Sequence, residues 1–148
     1  MFTRKCYEAA GPFDTTLGMG TDYHMWLRMA WNFHFGYVKE PLIVYRQHPG
    51  MLTRKPSQFL QEGIPWEVRV LEKFFRLYPE AVSEIGRKNV ARRLSKPYFN
   101  FGYEYVRQEG TADAPQLLRR AIGHWPTDSR YWINWIRACF TKENADDS

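Results

Sequence analysis

The chain is poor in the groups on which many small-protein chemistries are built. Its 148 residues include two cysteines, Cys6 and Cys139, near opposite ends. There is no Cys-x-x-Cys pair and no histidine at zinc-ligand spacing, so neither a disulfide framework nor a zinc site is expected, and a reducing compartment fits. No Gly-x-Gly-x-x-Gly or Gly-x-x-x-x-Gly-Lys loop is present to cradle a phosphate, and no serine or cysteine stands in a nucleophile elbow. No apolar run approaches the roughly eighteen residues a membrane helix needs, so no transmembrane segment is expected. The N-terminus turns charged at Arg4 and Lys5 before a signal-peptide core could form. Charge of one sign is also scarce: 21 basic against 16 acidic residues give a net +5, spread along the chain, which is too modest for a dedicated nucleic-acid binder.

What is present is apolar and aromatic material, at 44% and 17%, with 25% charged residues, enough for one ordinary core and incompatible with wholesale disorder. Gly11 to Gly20 has the Gly, Pro, Asp and Thr spacing of a loop, anchored by Phe13 and Leu17. A helix follows, capped by Thr21 or Asp22, because Tyr23, Trp26, Leu27 and Ala30 recur at i, i+3, i+4 and i+7. Two aromatic and β-branched runs, Phe33 to Val38 and Leu42 to Tyr45, predict short strands separated by Lys39-Glu40-Pro41. His48 to Ser57 then reads as a loop and a candidate flap, with a shift of composition near Pro56.

Beyond Pro65 the pattern is helical. Val70, Leu71, Phe74, Phe75, Leu77 and Tyr78 form a wide apolar stripe ending at Pro79. Further helices are predicted over Glu80 to Ser95, Tyr98 to Gln108 with Pro97 at the first turn, and Ala114 to His124. A last helix after Thr127-Asp128-Ser129 should set Trp132, Trp135, Ile136, Cys139 and Phe140 on one face. The one dense basic block is Arg87, Lys88, Arg92, Arg93 and Lys96, which reads as a solvated helix face or as contact with anionic head groups or a nucleotide.

Among residues able to carry chemistry, Asp22 stands out as an acid at a glycine-loop-to-helix junction, where rigidity and exposure suit a general base. Its plain reading is an ordinary capping aspartate. Arg28 lies on the same helix and could reach a phosphate or carboxylate, or be a surface arginine. Arg46 and His48 close the second predicted strand at alternate positions and so share a side. A single loop histidine is a weak metal signal, and no metal ligand is assigned.

Read as a string, Ala10-Gly-Pro-Phe-Asp-Thr-Thr-Leu-Gly-Met-Gly-Thr-Asp-Tyr-His-Met-Trp-Leu-Arg-Met-Ala30 followed by Phe35-Gly-Tyr-Val-Lys-Glu-Pro-Leu-Ile-Val-Tyr-Arg-Gln-His48 resembles the C-terminal half of family 2 (GT-A type) glycosyltransferases. That family typically shows Gly-Gly-Phe-Asp-Glu, then Gly-Glu-Asp-Tyr-Asp-Leu-Trp-Leu-Arg, an aromatic strand, Pro-Leu and Tyr-Arg-x-His, in this order. The resemblance spans about the first 55 residues and implies that Asp22 is the catalytic base of an inverting sugar transfer. It further implies that Arg46 and His48, at the end of the family's strand and flap, contact the diphosphate or acceptor, and Arg28 is expected beside them as a substrate-binding residue. Here Thr21 replaces an acid, His24 replaces another, and Pro12 replaces the second glycine of the loop. The family's preceding αβ half, with its donor pocket and metal-binding Asp-x-Asp, has no counterpart here, since no Asp-x-Asp occurs in the sequence. The resemblance therefore implies a truncated or split transferase. Its divalent metal (Mg or Mn) has its main ligands outside this chain, its donor is a nucleotide-sugar, its acceptor is a glycan, lipid or protein, and the chain alone is inactive.

Tyr98, Phe101, Gly102, Tyr105, Ala114, Leu118, Ala121 and Pro126 resemble in spacing a tetratricopeptide repeat, a helix pair of 34 residues. Together these readings give an α+β, mostly α chain. Residues 1–55 form the end of a GT-A catalytic domain, a helix plus short strands, and residues 56–148 form a helical tail built as a bundle or hairpin. The expected location is cytoplasmic, with peripheral contact at the inner face of the membrane through the basic block. The alternative is a non-catalytic module whose helical tail binds a protein partner.

Overall fold

The computed structural model describes residues 2–48, 60–61, 63–107 and 113–146; beyond Phe140 only the course of the backbone is described. Seven helices dominate it: α1 (Arg4–Ala10), α2 (Thr21–Asn32), α3 (Trp66–Leu77), α4 (Pro79–Ile85), α5 (Arg87–Arg107), α6 (Ala114–His124) and α7 (Ser129–Asp146). A single 3-10 turn, Thr15–Leu17, interrupts the loop between α1 and α2. The only ladder among the described residues is a two-residue antiparallel pair, β1 (Leu60–Gln61) with β2 (Ile64–Pro65), in register Leu60↔Pro65. The chain is mostly α, as its periodicity implies. No helix among the described residues is long and apolar enough to cross a membrane.

The principal core lies where α5, α6 and α7 meet. Helix α6 buries Ala114, Leu117, Leu118, Ala121 and Ile122, the i, i+3, i+4, i+7, i+8 stripe of an amphipathic helix. It packs against Tyr98, Gly102 and Tyr105 of α5. Gly102 is where the two axes come closest: a Cβ placed there would stand 2.7 Å from Leu118 Cγ. Gly102→Ala is therefore expected to lower stability by about 2 kcal/mol, because the added methyl forces two packed helices apart, and a urea titration would show it. A change below about 0.5 kcal/mol, the size usual for surface substitutions, would mean the hairpin opens without strain.

A smaller core of Ala10, Met25 and Met29 joins α1 to α2. Helix α3 links the two cores. Tyr23 at the start of α2 meets Trp66 at the start of α3, with ring centroids 6.0 Å apart. Trp31 at the far end of α2 meets Phe74 and Tyr78 at 6.3 and 5.9 Å. Helices α2 and α3 thus run parallel, start beside start.

Several expected features come out differently. Phe33–Val38 and Leu42–Tyr45 are not strands: the chain leaves α2 extended at Phe33 (φ −141°, ψ 154°) and continues to His48 with no ladder. An extended run becomes a strand only when another edge supplies its hydrogen bonds. Here Tyr37, Ile43 and Val44 stay 86%, 86% and 96% exposed. Gly86, not Ser95, ends the helix that begins after Tyr78, and α5 runs straight through Pro97. Near that proline the Ser95 hydroxyl donates to the Arg92 carbonyl at 2.9 Å and meets the Tyr131 hydroxyl at 3.1 Å, and packing holds together a helix that propensity alone would break. Helix α7 turns Tyr131, Asn134 and Ala138 inward, and Trp132, Ile136 and Phe140, of the row expected along one face, lie 43%, 47% and 64% exposed. The expected domain boundary at residues 55–56, and most of the flap from His48 to Ser57, lie outside the described residues.

Candidate functional site

The start of α2 is built by the loop before it. Gly20, not Thr21 or Asp22, is the N-cap, in the left-handed conformation (φ 81°, ψ 17°) and with no side-chain cap. Asp22 falls in the first helical turn, exposed, with Oδ1 accepting from the Tyr23 amide at 2.7 Å. Part of the carboxylate is thus tied to its own backbone, and the rest faces solvent.

Three basic side chains from two helices hold the loop leading to it. From α2, Arg28 is 9% exposed and donates to the carbonyls of Ala10 and of Pro12, the latter at 2.7 Å. From α3, Arg69 donates to the Leu17 carbonyl at 2.8 Å, and one turn on Lys73 donates to the Thr16 hydroxyl at 2.7 Å and pairs with Asp14. Asp14 caps the 3-10 turn by accepting from the Thr16 amide and hydroxyl at 3.1 and 2.7 Å. His24 of α2 lies beneath, 1% exposed, its Nδ1 3.8 Å from Asp14 Oδ2.

These contacts set the protonation pattern. Hydrogen bonds from Lys73 and Thr16 outweigh partial burial and hold the Asp14 carboxyl down at about 2. Burial, then the Arg28 charge, lowers the pKa of His24 against the opposing pull of Asp14. With neither ring nitrogen hydrogen-bonded, His24 is neutral at pH 7, and its approach to Asp14 is a proximity and not an ion pair. A third group, Glu67 at the start of α3, has its pKa raised by burial, only partly offset by its own amide and by Arg93.

Stability should consequently fall in two steps on acidification. His24 contributes stability above its unfolded value of 6.5, and this is lost as pH drops below that value, because the unfolded chain takes up a proton the buried ring refuses. Asp14 contributes above its unfolded value of 3.8, and this is lost as pH falls toward its folded value of about 2. Glu67, raised, works in the opposite sense. With Lys73 33% exposed, the Asp14 contribution is about 1–2 kcal/mol after solvent screening. Chemical denaturation of Asp14→Asn beside the parent isolates it: the difference should be full at pH 6 and vanish by about pH 2, and a pH-independent difference would disprove the assignment.

Of the residues expected to form a site, the structure places Asp22 and Arg28 on one helix, with Asp22 outward and the Arg28 guanidinium on the loop carbonyls. Arg46 and His48 lie exposed on the extended run after α2, and no hydrogen bond or ion pair among the described residues joins them to Asp22. Sequence reasoning missed Asp14, Arg69, Lys73 and Glu67 as site-building groups. The i, i+4 spacing of Arg69 and Lys73 was a usable signal, whereas their partners lie more than fifty residues away and left none. No three of His, Cys, Asp and Glu among the described residues stand close enough to hold a metal ion. Compared with known proteins, the chain matches no family model, no curated protein and no solved structure.

Proposed function

We propose that this chain is the acceptor-side, base-carrying section of an inverting family 2 glycosyltransferase, with Asp22 as the general base. The observation that supports it best is the setting of Asp22: an exposed carboxylate on a helix start that is fixed by Gly20 against Trp66 and by a loop clamped from two helices. A base must be rigid and within reach of the proton it removes. In the reaction Asp22 takes the proton of an acceptor hydroxyl. The hydroxyl oxygen bonds to the anomeric carbon, and the bond from that carbon to the phosphate oxygen breaks, so that the nucleoside diphosphate leaves with the electron pair.

The uncovered run from Phe35 to Tyr45 agrees with this reading, since exposed apolar residues without an edge suit the sheet of a separate αβ half. That half brings the nucleotide-sugar pocket and the Mg or Mn, which supplies charge stabilisation for the leaving diphosphate when bound. Arg46 and His48 serve the diphosphate or the acceptor, a glycan, lipid or protein. The α5–α6 pair, with its tetratricopeptide-like spacing, is the tail of the same enzyme, cytoplasmic and peripheral to the membrane. A second reading, a protein-binding helical module, draws on the outward row Trp132, Ile133, Ile136 and Phe140 of α7.

The test joins the chain to an αβ donor half containing Asp-x-Asp and follows sugar transfer. Asp22→Asn should abolish transfer while leaving the thermal unfolding midpoint unchanged, and transfer by that variant at the parent rate would overturn Asp22 as the base. Absence of transfer from every donor half, with a chain that remains folded, would favour the binding module.

A further inference from the structure

The basic block does not behave as one solvated face. Arg93 turns toward α2 and donates to the Tyr23 hydroxyl at 3.1 Å. Lys88, Arg92 and Lys96, at i, i+4 and i+8 on α5, form a single stripe, because residues four apart share a helix face. That stripe borders a cleft of about 430 Å³ between α5 and the α6–α7 turn, lined by Arg92, Lys96, Asn100, Trp125, Asp128 and Arg130 among others.

Each wall of the cleft is set by a contact. On the α7 side Arg130 is held flat by a two-pronged pair with Asp128, Nε to Oδ1 at 2.9 Å and the terminal nitrogen to Oδ2 at 2.6 Å. Its guanidinium lies 5.9 Å from the centre of the Phe99 ring. Phe99 stacks on Tyr131 at 4.6 Å, and Tyr131 is tied to Ser95, so this wall is rigid. On the opposite side Lys88 stands 5.9 Å from the centre of the Trp125 ring, which places a further cation beside the cleft. Among the lining residues the one carboxylate, Asp128, stands with three cations, Arg92, Lys96 and Arg130, an excess of two positive charges. Asp128 is held below its ordinary value by Arg130 first and by Arg92 as well, so both arginines lie within electrostatic reach of one point.

We propose that this cleft binds the phosphoryl group of a small phosphorylated molecule, with Arg92 and Lys96 from α5 and Arg130 from α7 as its donors. Arginine forks and lysine ammonium groups are the usual partners of a phosphate dianion. Asp128 keeps Arg130 oriented in the free chain and competes with the ligand for it. The inference does not depend on the transferase reading, since no hydrogen bond or ion pair among the described residues joins these side chains to α2 or its loop.

Pyrophosphate is the probe, titrated calorimetrically into the full chain and followed in parallel by the indole N–H resonance of Trp125, with sulfate as control. Pyrophosphate is expected to bind more tightly than sulfate and to shift the Trp125 signal. The double variant Arg92→Gln/Lys96→Gln should weaken binding about tenfold or more, the loss of two charge-assisted contacts. Asp128→Asn should tighten it. Arg92 and Lys96 are exposed, whereas the Asp128 side chain is mostly covered and accepts from the Arg130 amide, and an unchanged unfolding midpoint confirms that the fold of each variant is intact. Binding equal to that of sulfate, or binding unaffected by the double variant, would overturn the proposal. Vesicles of phosphatidic acid in phosphatidylcholine form the second arm: capture by vesicles without binding of free pyrophosphate would also overturn it, by assigning the stripe to a lipid surface.

Discussion

Gly20→Ala is expected to destabilise the chain by about 3 kcal/mol, the sum of a left-handed backbone penalty and overpacking. Both terms arise at one atom. At φ 81° an L side chain is strained, and the same Cβ would lie 2.5 Å from the Trp66 ring and 2.8 Å from Val70 Cγ2. Trp66 cannot simply swing aside, because its ring is also the T-shaped partner of Tyr23 at 6.0 Å. For a chain of this size the loss corresponds to a fall of roughly 10 °C in the unfolding midpoint. Val70→Ala combined with Gly20→Ala should recover little, since the indole contact remains. A measured change below about 1 kcal/mol would show that α2 shifts its start without strain, and the rigid placement of Asp22 would go with it.

Arg28→Ala should cost a comparable amount, about 3 kcal/mol, for a different reason. The guanidinium is the shared donor for the Ala10 and Pro12 carbonyls, and its removal leaves two acceptors and a void between α1 and the loop. Hydrogen bonds from a charged donor contribute about 1.5–3 kcal/mol each, and a buried group left unpaired loses that in full. Arg28→Lys should fall between parent and alanine, because an ammonium on a flexible stem cannot span both carbonyls as a planar fork does. Urea titration of the three proteins checks the order. If lysine restored full stability, the two-carbonyl clamp would be refuted.

How much of this was legible depended on where each residue finds its partner. Helix α6 could be read directly, since Ala114, Leu117, Leu118, Ala121 and Ile122 carry their periodicity within eleven residues. The loop from Gly11 to Gly20 and the helix after it were equally plain. Val38 or Ile43 could not be placed, because β-branched composition states a preference that only a neighbouring edge fulfils. Pro97 misled for the converse reason: local chemistry argued for a break, and packing around Tyr98 and Ser95 overrode it. On α7 the apolar residues run nearly around the helix, so periodicity alone could not tell the Tyr131, Asn134, Ala138 face from the Trp132, Ile136, Phe140 one. Asp22 was visible from its neighbours, but the clamp that holds it was not, since Lys73 and Arg69 sit 57 and 52 residues from their acceptors.

That separation governs the order of assembly. The α5–α6–α7 unit is made of neighbours in sequence, and such local contacts close early and at low entropic cost. The clamp on the loop, by contrast, requires Thr16 and Leu17 to find α3 across a long intervening chain, with Tyr23 meeting Arg93 from 70 residues away. The α5–α6–α7 unit is thus the scaffold on which α3 is presented, and the Asp22 end is expected to be the last part to consolidate and the first to open in native-state fluctuations. Hydrogen exchange should find the amides of α2 released well before those of α6, with the tail still folded as the loop around Asp14 lets go.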